Sequence, residues 1–327
     1  MKRLRMLGCA VAGGVFLLSG GVALAEKSVA ISECGTTIAE PGHYKLMNDL
    51  VDCAVDGVVI TASDIVLDLN GHSISCDTQG GLVRLGGVVV WSPDWVKISN
   101  VTVRNGHVSD CSDGIVLVFT ENSRVKNISA EGNLAWEGAS GTGITVWYSE
   151  NARITKNHTY DNEQQGIGVW DSTGTLVKHN LTTANYAGIW TERVDDTEIS
   201  CNKIFGNGDG VLLGPWSFGG LVKGNLAKWN WFSGISAWGW GSEQPWDAIA
   251  FDNVLKHNVS EENPLDHAEL AYDFNSGAIF PHPDGVCRNL WFENQFSTSW
   301  GPDNCINQPV ELSDDDVCAL DDESDFD

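Results

Sequence analysis

Two carboxylates and a set of tryptophans are the side chains best suited to chemistry in this sequence. Asp171 directly follows Trp170, and Glu192 follows Trp190 by two positions. If the chain coils so that Trp170 and Glu192 become neighbours, the two carboxyls come to about 5 Å from each other. That is the separation of a retaining glycosidase pair, in which one carboxyl protonates the leaving oxygen and the other attacks the sugar carbon. Arg193 and Tyr186 stand nearby. They supply a fixed cation and a phenol, the types needed to hold a uronate carboxylate and to move the proton beside it. His158 and Lys178 offer similar chemistry but belong to other faces of a repeating coil. Asp171 has a second reading as a turn residue, because Ser172, Thr173 and Gly174 follow it.

The tryptophans are placed by glycines. Trp91, Trp147, Trp170 and Trp238 each lie four residues after a glycine, and Trp190 lies two after one. Even-numbered positions after the glycine face water if the odd ones face a core. Five indoles on a wet strand face are unusual, since each leaves a large apolar area exposed. Stacked at about 4.8 Å per rung, they would form a track for successive sugar rings. The competing reading is that flanking loops cover the rings as a minor core.

The elements that must position these groups are short repeats. Gly114, Gly143, Gly166, Gly188 and Gly210 each open an apolar run, and Asn127, Asn157, Asn180, Asn202 and Asn225 follow 13 to 15 residues later. From Gly143 to Gly210 the glycines recur every 22 or 23 residues, which signals a solenoid. Gly57 and Gly87 extend the array backwards, Gly234 and Gly277 forwards, for nine coils in all. The residue after each glycine is β-branched in eight cases of nine, ending with Ala278. That choice suits the buried face of a pleated strand. The fold expected is therefore all-β, a right-handed parallel β-helix with an N-terminal cap. The asparagines predict a ladder at a turn. Asn100, Asn127, Asn157, Asn180 and Asn258 also read as N-x-S/T, and the ladder is preferred to glycosylation for them.

The termini and composition bound the rest. Residues 1–25 read as a signal peptide, with Lys2, Arg3 and Arg5 before an apolar stretch and Ala23-Leu24-Ala25 at its end. Residues 26–56 read as the cap, 57–307 as the solenoid and 308–327 as an acidic tail. A secreted or periplasmic product follows, with no membrane span. Nine cysteines less Cys9 leave eight, an even number for disulfides in an oxidising compartment. The pairs favoured are Cys34–Cys53, Cys76–Cys111 and Cys287–Cys305. No CxxC pair supports zinc. With 19 basic and 44 acidic residues the formal net charge is −25. Such a field repels nucleic acid and anionic membranes, and it disfavours polyanionic glycans unless Ca2+ or a local basic patch intervenes. No cofactor or metal site is read from the residues; calcium bridging is the one role left open. Long connections at 70–87, 127–143 and 253–277 flank short ones, so they would wall a groove across coils four to seven.

The Gly–Ile/Asn repeats, with Cys34-Gly35-Thr36-Thr37-Ile38 and Asp64-Ile65-Val66-Leu67-Asp68-Leu69-Asn70-Gly71-His72, resemble secreted right-handed parallel β-helix proteins of the pectin-lyase-like superfamily. The resemblance runs from about Cys34 to Ile306. It implies the fold firmly and function broadly, because the scaffold hosts many activities. Polygalacturonase-like members carry aspartates just before successive strand glycines, where this chain has Asp113, Thr142, Gln165, Ala187 and Asp209. The epimerase Asp-Pro-His motif is only echoed by Phe280-Pro281-His282-Pro283-Asp284 and by Asp266-His267. The reading reached is a polysaccharide-active protein, a hydrolase or a lyase or epimerase. Its alternative is a non-catalytic carbohydrate-binding or surface-structural module.

Overall fold

The computed structural model describes residues 28–77, 85–135, 140–240, 250–273, 278–281, 289–300 and 306. Residues 1–25 (read as a signal peptide), the expected Cys287–Cys305 pairing, the acidic stretch 308–327 and parts of the long connections lie outside them. No helix occurs among the described residues, so none is long and apolar enough to cross a membrane.

Each strand glycine opens a rung of one parallel sheet. Ten strands, from Thr36–Ile38 through Gln165–Thr173 and Ala187–Asp195 to Leu265–Asp273, pair in parallel and in chain order. The glycine is needed because the rungs approach closely there. A Cβ on Gly188 would stand 2.5 Å from Thr182 Oγ1 and 2.8 Å from the Gly210 carbonyl oxygen of the next rung. Residues one and three past the glycine point inward and are buried, as at Ile144 and Val146, Ile167 and Val169, or Val211 and Leu213. A larger sheet closes the tube through strands such as Arg124–Glu131, Leu176–Lys178 and Leu221–Lys223. Its inward residues Val125, Ile154, Val177, Ile199, Val222 and Leu255 complete the core. Residues assigned to the cap pair in the same manner, Thr36–Ile38 with Val58–Ile60.

Two asparagine ladders run inside the wall. In the first, the Nδ2 amide of Asn157 donates to Asn180 Oδ1 at 3.0 Å, and the chain continues through Asn202, Asn225, Asn258 and Asn294. Asn127 is not a rung. It sits outside at φ 53°, and Ile128 takes the place above Asn157. A second ladder links Asn133, Asn162, Asn185, Asn207, Asn230 and Asn263. It ends on Asp266, whose carboxylate accepts from Asn263 at 3.0 Å and from the backbone amides of Ser297 and Thr298. Buried amides that bond both neighbours satisfy the polar backbone at each turn.

The last coil differs from the glycine rule. Its strand is Leu265–Asp273, with Asp266 where a glycine was expected, whereas Ala278–Pro281 folds back antiparallel against it. The ninth coil that Gly277 predicted thus opens at Asp266 instead, and Ser299–Trp300 pairs in parallel beyond it. Two predicted disulfides are present, Cys34–Cys53 and Cys76–Cys111. Cys201 is disulfide-bonded as well.

Candidate functional site

The site lies on the outer face of the glycine-led sheet. Four residues past the glycine, register stacks Val118, Trp147, Trp170 and Glu192 on successive rungs. Trp147, Trp170, Trp190 and Glu192 all alternate with buried residues, so they face away from the core. One position further, Phe119, Tyr148, Asp171 and Arg193 adopt left-handed φ values of 55°, 50°, 47° and 52°. A left-handed residue ends the strand with a sharp turn. Asp171 is therefore a turn residue and a site residue at once.

Arg193 joins the two carboxylates. Its Nε donates to Asp171 Oδ1 at 2.6 Å and its Nη2 to Asp171 Oδ2 at 3.0 Å, while Nη1 donates to Glu192. The indole N–H of Trp147 donates to Asp171 Oδ2 at 2.9 Å. Glu192 and Asp171 side chains are only 14% and 17% exposed, against 40% for Arg193. Their proton affinities diverge. Burial pushes the Glu192 carboxyl above its ordinary range; the Arg193 charge opposes this, and the Asp171 charge adds to it. Burial would raise Asp171 too, but the hydrogen bonds from Arg193 and Trp147 outweigh it and hold that carboxyl below its usual range. Two carboxyls driven apart in this way can serve as acid and base.

The tryptophans divide between two settings. Trp170 lies over its own strand, filling the space that a side chain at Gly168 would need: a Cβ there would fall 1.9 Å from the indole. Trp190 faces Glu192 across Gly214, and its buried indole N–H has no hydrogen-bond partner. Trp147 stacks on Tyr148, with centroids 5.2 Å apart. Together with Trp91 and Trp95 these two rings wall a groove of about 540 Å³ floored by Val89, Val116 and Val118. The aromatic groove thus meets the ionic cluster at Trp147.

Two predicted members stand elsewhere. Tyr186 precedes its strand and lines a separate groove with Leu134, Glu163 and Trp231. Six residues of extended chain, about 20 Å, part it from Glu192. Trp238 packs against Phe232 and donates its indole N–H to Ser236 at 3.0 Å, with Gly214 between its rung and Glu192. Trp95 stands at no fixed offset from a glycine and carries no signal in the repeat; Tyr148 stands five residues after Gly143, legible only by extending the outward row one residue into the turn. Asp113 and Asp209 are buried, and burial pushes Asp209 up to about 6. His267 is fully buried between Trp291 and Phe296, its pKa lowered by burial to about 3. Neither pair lies on the open face. Among the described residues no cluster of three His, Cys, Asp or Glu could hold a metal ion.

Comparison with known proteins gives the fold a family. Residues 86–254 match the family described as the right handed beta helix region. No curated protein sequence matches. Among solved structures, the periplasmic alginate epimerase AlgG superposes with a TM-score of 0.54 at 16% identity, covering 84% of this chain and 74% of that one. The tailspike protein of E. coli bacteriophage HK620, solved in complex with a pentasaccharide, gives a TM-score of 0.52 at 13% identity. It covers 81% of this chain, which spans half of the tailspike's length. The parallel rungs, the ladders and the matched repeats together make this chain a member of the right-handed parallel β-helix family.

Proposed function

We propose that this protein binds an extended polysaccharide across its aromatic groove and acts on it at the Glu192–Asp171–Arg193 cluster. One observation carries the reading: Trp147 is both a wall of the groove and a hydrogen-bond donor to Asp171. A sugar stacked on that indole would lie next to the carboxylates. Indole and phenol faces suit pyranose rings, which present apolar C–H groups to them. That solved relatives include a saccharide complex and an epimerase of alginate supports the substrate class. The disulfides and the reading of residues 1–25 support an exported protein.

In the hydrolytic form of the proposal, Glu192 donates its proton to the glycosidic oxygen. Asp171, kept ionised, stabilises or attacks the sugar carbon. Arg193 orients both, and it must release Glu192 when substrate enters. In the uronate form, Arg193 instead takes the substrate carboxylate. The test is a glycan panel followed by reducing ends and by absorbance of unsaturated uronates, with and without Ca2+. Trp147→Ala is expected to raise KM and Glu192→Gln to abolish turnover. Full activity in Glu192→Gln would remove that residue from the mechanism.

A second reading has its own support. Because Arg193 engages both carboxylates, neither is free in the unliganded chain, which suits a binding module without chemistry. Saturable glycan binding with no product, lost in Trp147→Ala, would select it.

A further inference from the structure

The two sheets carry opposite charge. Strands of the larger sheet hold ten lysines and arginines against five acids, whereas strands of the glycine-led sheet hold one, Arg193, against eight acids. Such a concentration is notable in a chain of net charge −25. Its centre is a single outward row. Register places Lys126, Thr155, Lys178, Ser200, Lys223 and Lys256 on consecutive rungs. The inward residues beside them, Val125, Ile154, Val177, Ile199, Val222 and Leu255, are buried, whereas Lys126 is exposed and Thr155, Lys178, Lys223 and Lys256 are half-buried; only Ser200 of the row is buried.

The row lacks counter-charges. Arg104, one rung before it, is paired with Asp68, and Lys228 with Glu261. Among the described residues, Lys126, Lys178 and Lys223 have no ion pair, nor do Arg124 and Arg153, which stack directly on each other in the adjacent row. Like charges opposite one another are destabilising in a sheet. Here they persist in a chain with acids to spare.

We propose that this row binds a linear acidic polysaccharide laid parallel to the tube axis. Lys126, Lys178 and Lys223 recur every second rung, about 9.6 Å, roughly two sugars of an extended chain. A glycan with one carboxylate or sulfate per repeat unit therefore meets a lysine at each repeat, and Thr155 between the first two offers a hydroxyl to its ring oxygens, whereas the Ser200 hydroxyl is buried and donates to Glu198. Double-stranded nucleic acid fits poorly, because its charges fall about every 1.7 Å along the axis. A single strand would want aromatic platforms, and none stands in the row between Lys126 and Lys256. This site lies on a different sheet from the aromatic groove and does not depend on the function proposed for it.

The experiment uses the full exported chain, with polygalacturonate as carboxylate probe, dextran sulfate as sulfate probe, neutral dextran, single-stranded DNA and phosphatidylserine vesicles. Binding is followed across a salt series. Wild type is expected to bind at least one acidic polysaccharide and not neutral dextran; which one it binds identifies the anion. The triple variant Lys126→Gln, Lys178→Gln, Lys223→Gln should bind about tenfold or more weakly, with a shallower dependence on salt. The triple change to Arg should retain binding. Matched thermal unfolding of the variants shows that the fold is intact. Equal binding by the Gln variant, binding of neither polysaccharide, or tighter binding of DNA or vesicles would overturn the proposal.

Discussion

Arg193 decides how the two carboxyls share protons. Its charge lowers the Glu192 carboxyl, and its hydrogen bonds lower Asp171. If the cluster is catalytic, Asp171 must be ionised and Glu192 protonated. The pH–rate profile should then have an acid limb below the ordinary aspartate range and an alkaline limb above the ordinary glutamate range. Arg193→Met removes the cation, so both limbs should move upward, and a profile that stays in place would exclude the pairing. Asp209 is a simpler case. Its folded pKa, about 6, lies above the unfolded value, so the native state holds the proton more tightly. Stability from this group is intact at acid pH and is lost as pH rises through about 4 to 6. Asp209→Asn keeps an oxygen for the Ser233 hydroxyl, which donates to it at 2.5 Å. The variant should gain about 2–3 kcal/mol above pH 6 and nothing below about pH 4. Urea titrations at the two extremes measure this.

At the scale of the element, position inside the wall matters more than residue type. Asn180 and Asn127 both stand in N-x-S/T patterns, yet Asn180 is fully buried while Asn127 is outside. Asn180→Ala would strand the backbone and side-chain N–H groups of Asn157 and take a donor from the Ile154 carbonyl, while Asn202 Oδ1 keeps the backbone N–H of residue 180, and should cost about 2–4 kcal/mol. Asn127→Ala should stay within about 0.5 kcal/mol. Urea midpoints at constant slope distinguish the two. The strands and the first ladder were legible because glycine and asparagine recur at fixed offsets. The second ladder is equally written, as an asparagine five residues after each rung from Asn157 to Asn258, but the longer glycine-to-asparagine period masks it. The last coil was not legible, since Asp266 does the work of a ladder end rather than of a close-packed glycine. The Arg193 bridge was hidden for another reason. Sequence placed Asp171, Glu192 and Arg193 together, but only the left-handed turns at Asp171 and Arg193 show which side chains meet.

For the whole molecule, the tube is a sum of rungs that each touch only their neighbours. The disulfides Cys34–Cys53 and Cys76–Cys111 span 19 and 35 residues, both near the N-terminal end. Chain-entropy reasoning assigns them about 3 and about 4 kcal/mol. Changing the four cysteines of these two bridges to serine should therefore loosen the first coils, while the rungs from Asn157 to Asn230, which keep the Cys201 disulfide, stay protected, and hydrogen exchange resolved along the chain would show the gradient. Uniform loss of protection would mean that the tube unfolds as one unit. The asparagine ladders also give the tube a direction. In each ladder amide one N–H donates to the next coil and the oxygen accepts from the one before, while the second N–H turns to an earlier backbone carbonyl, so the amide-to-amide bonds all run one way along the tube. The leading end offers an oxygen and the trailing end an N–H, and a carboxylate is the natural stopper for the latter. Asp266 occupies that place, which makes the axis of this protein a vector with unlike ends and forbids building the same array in reverse.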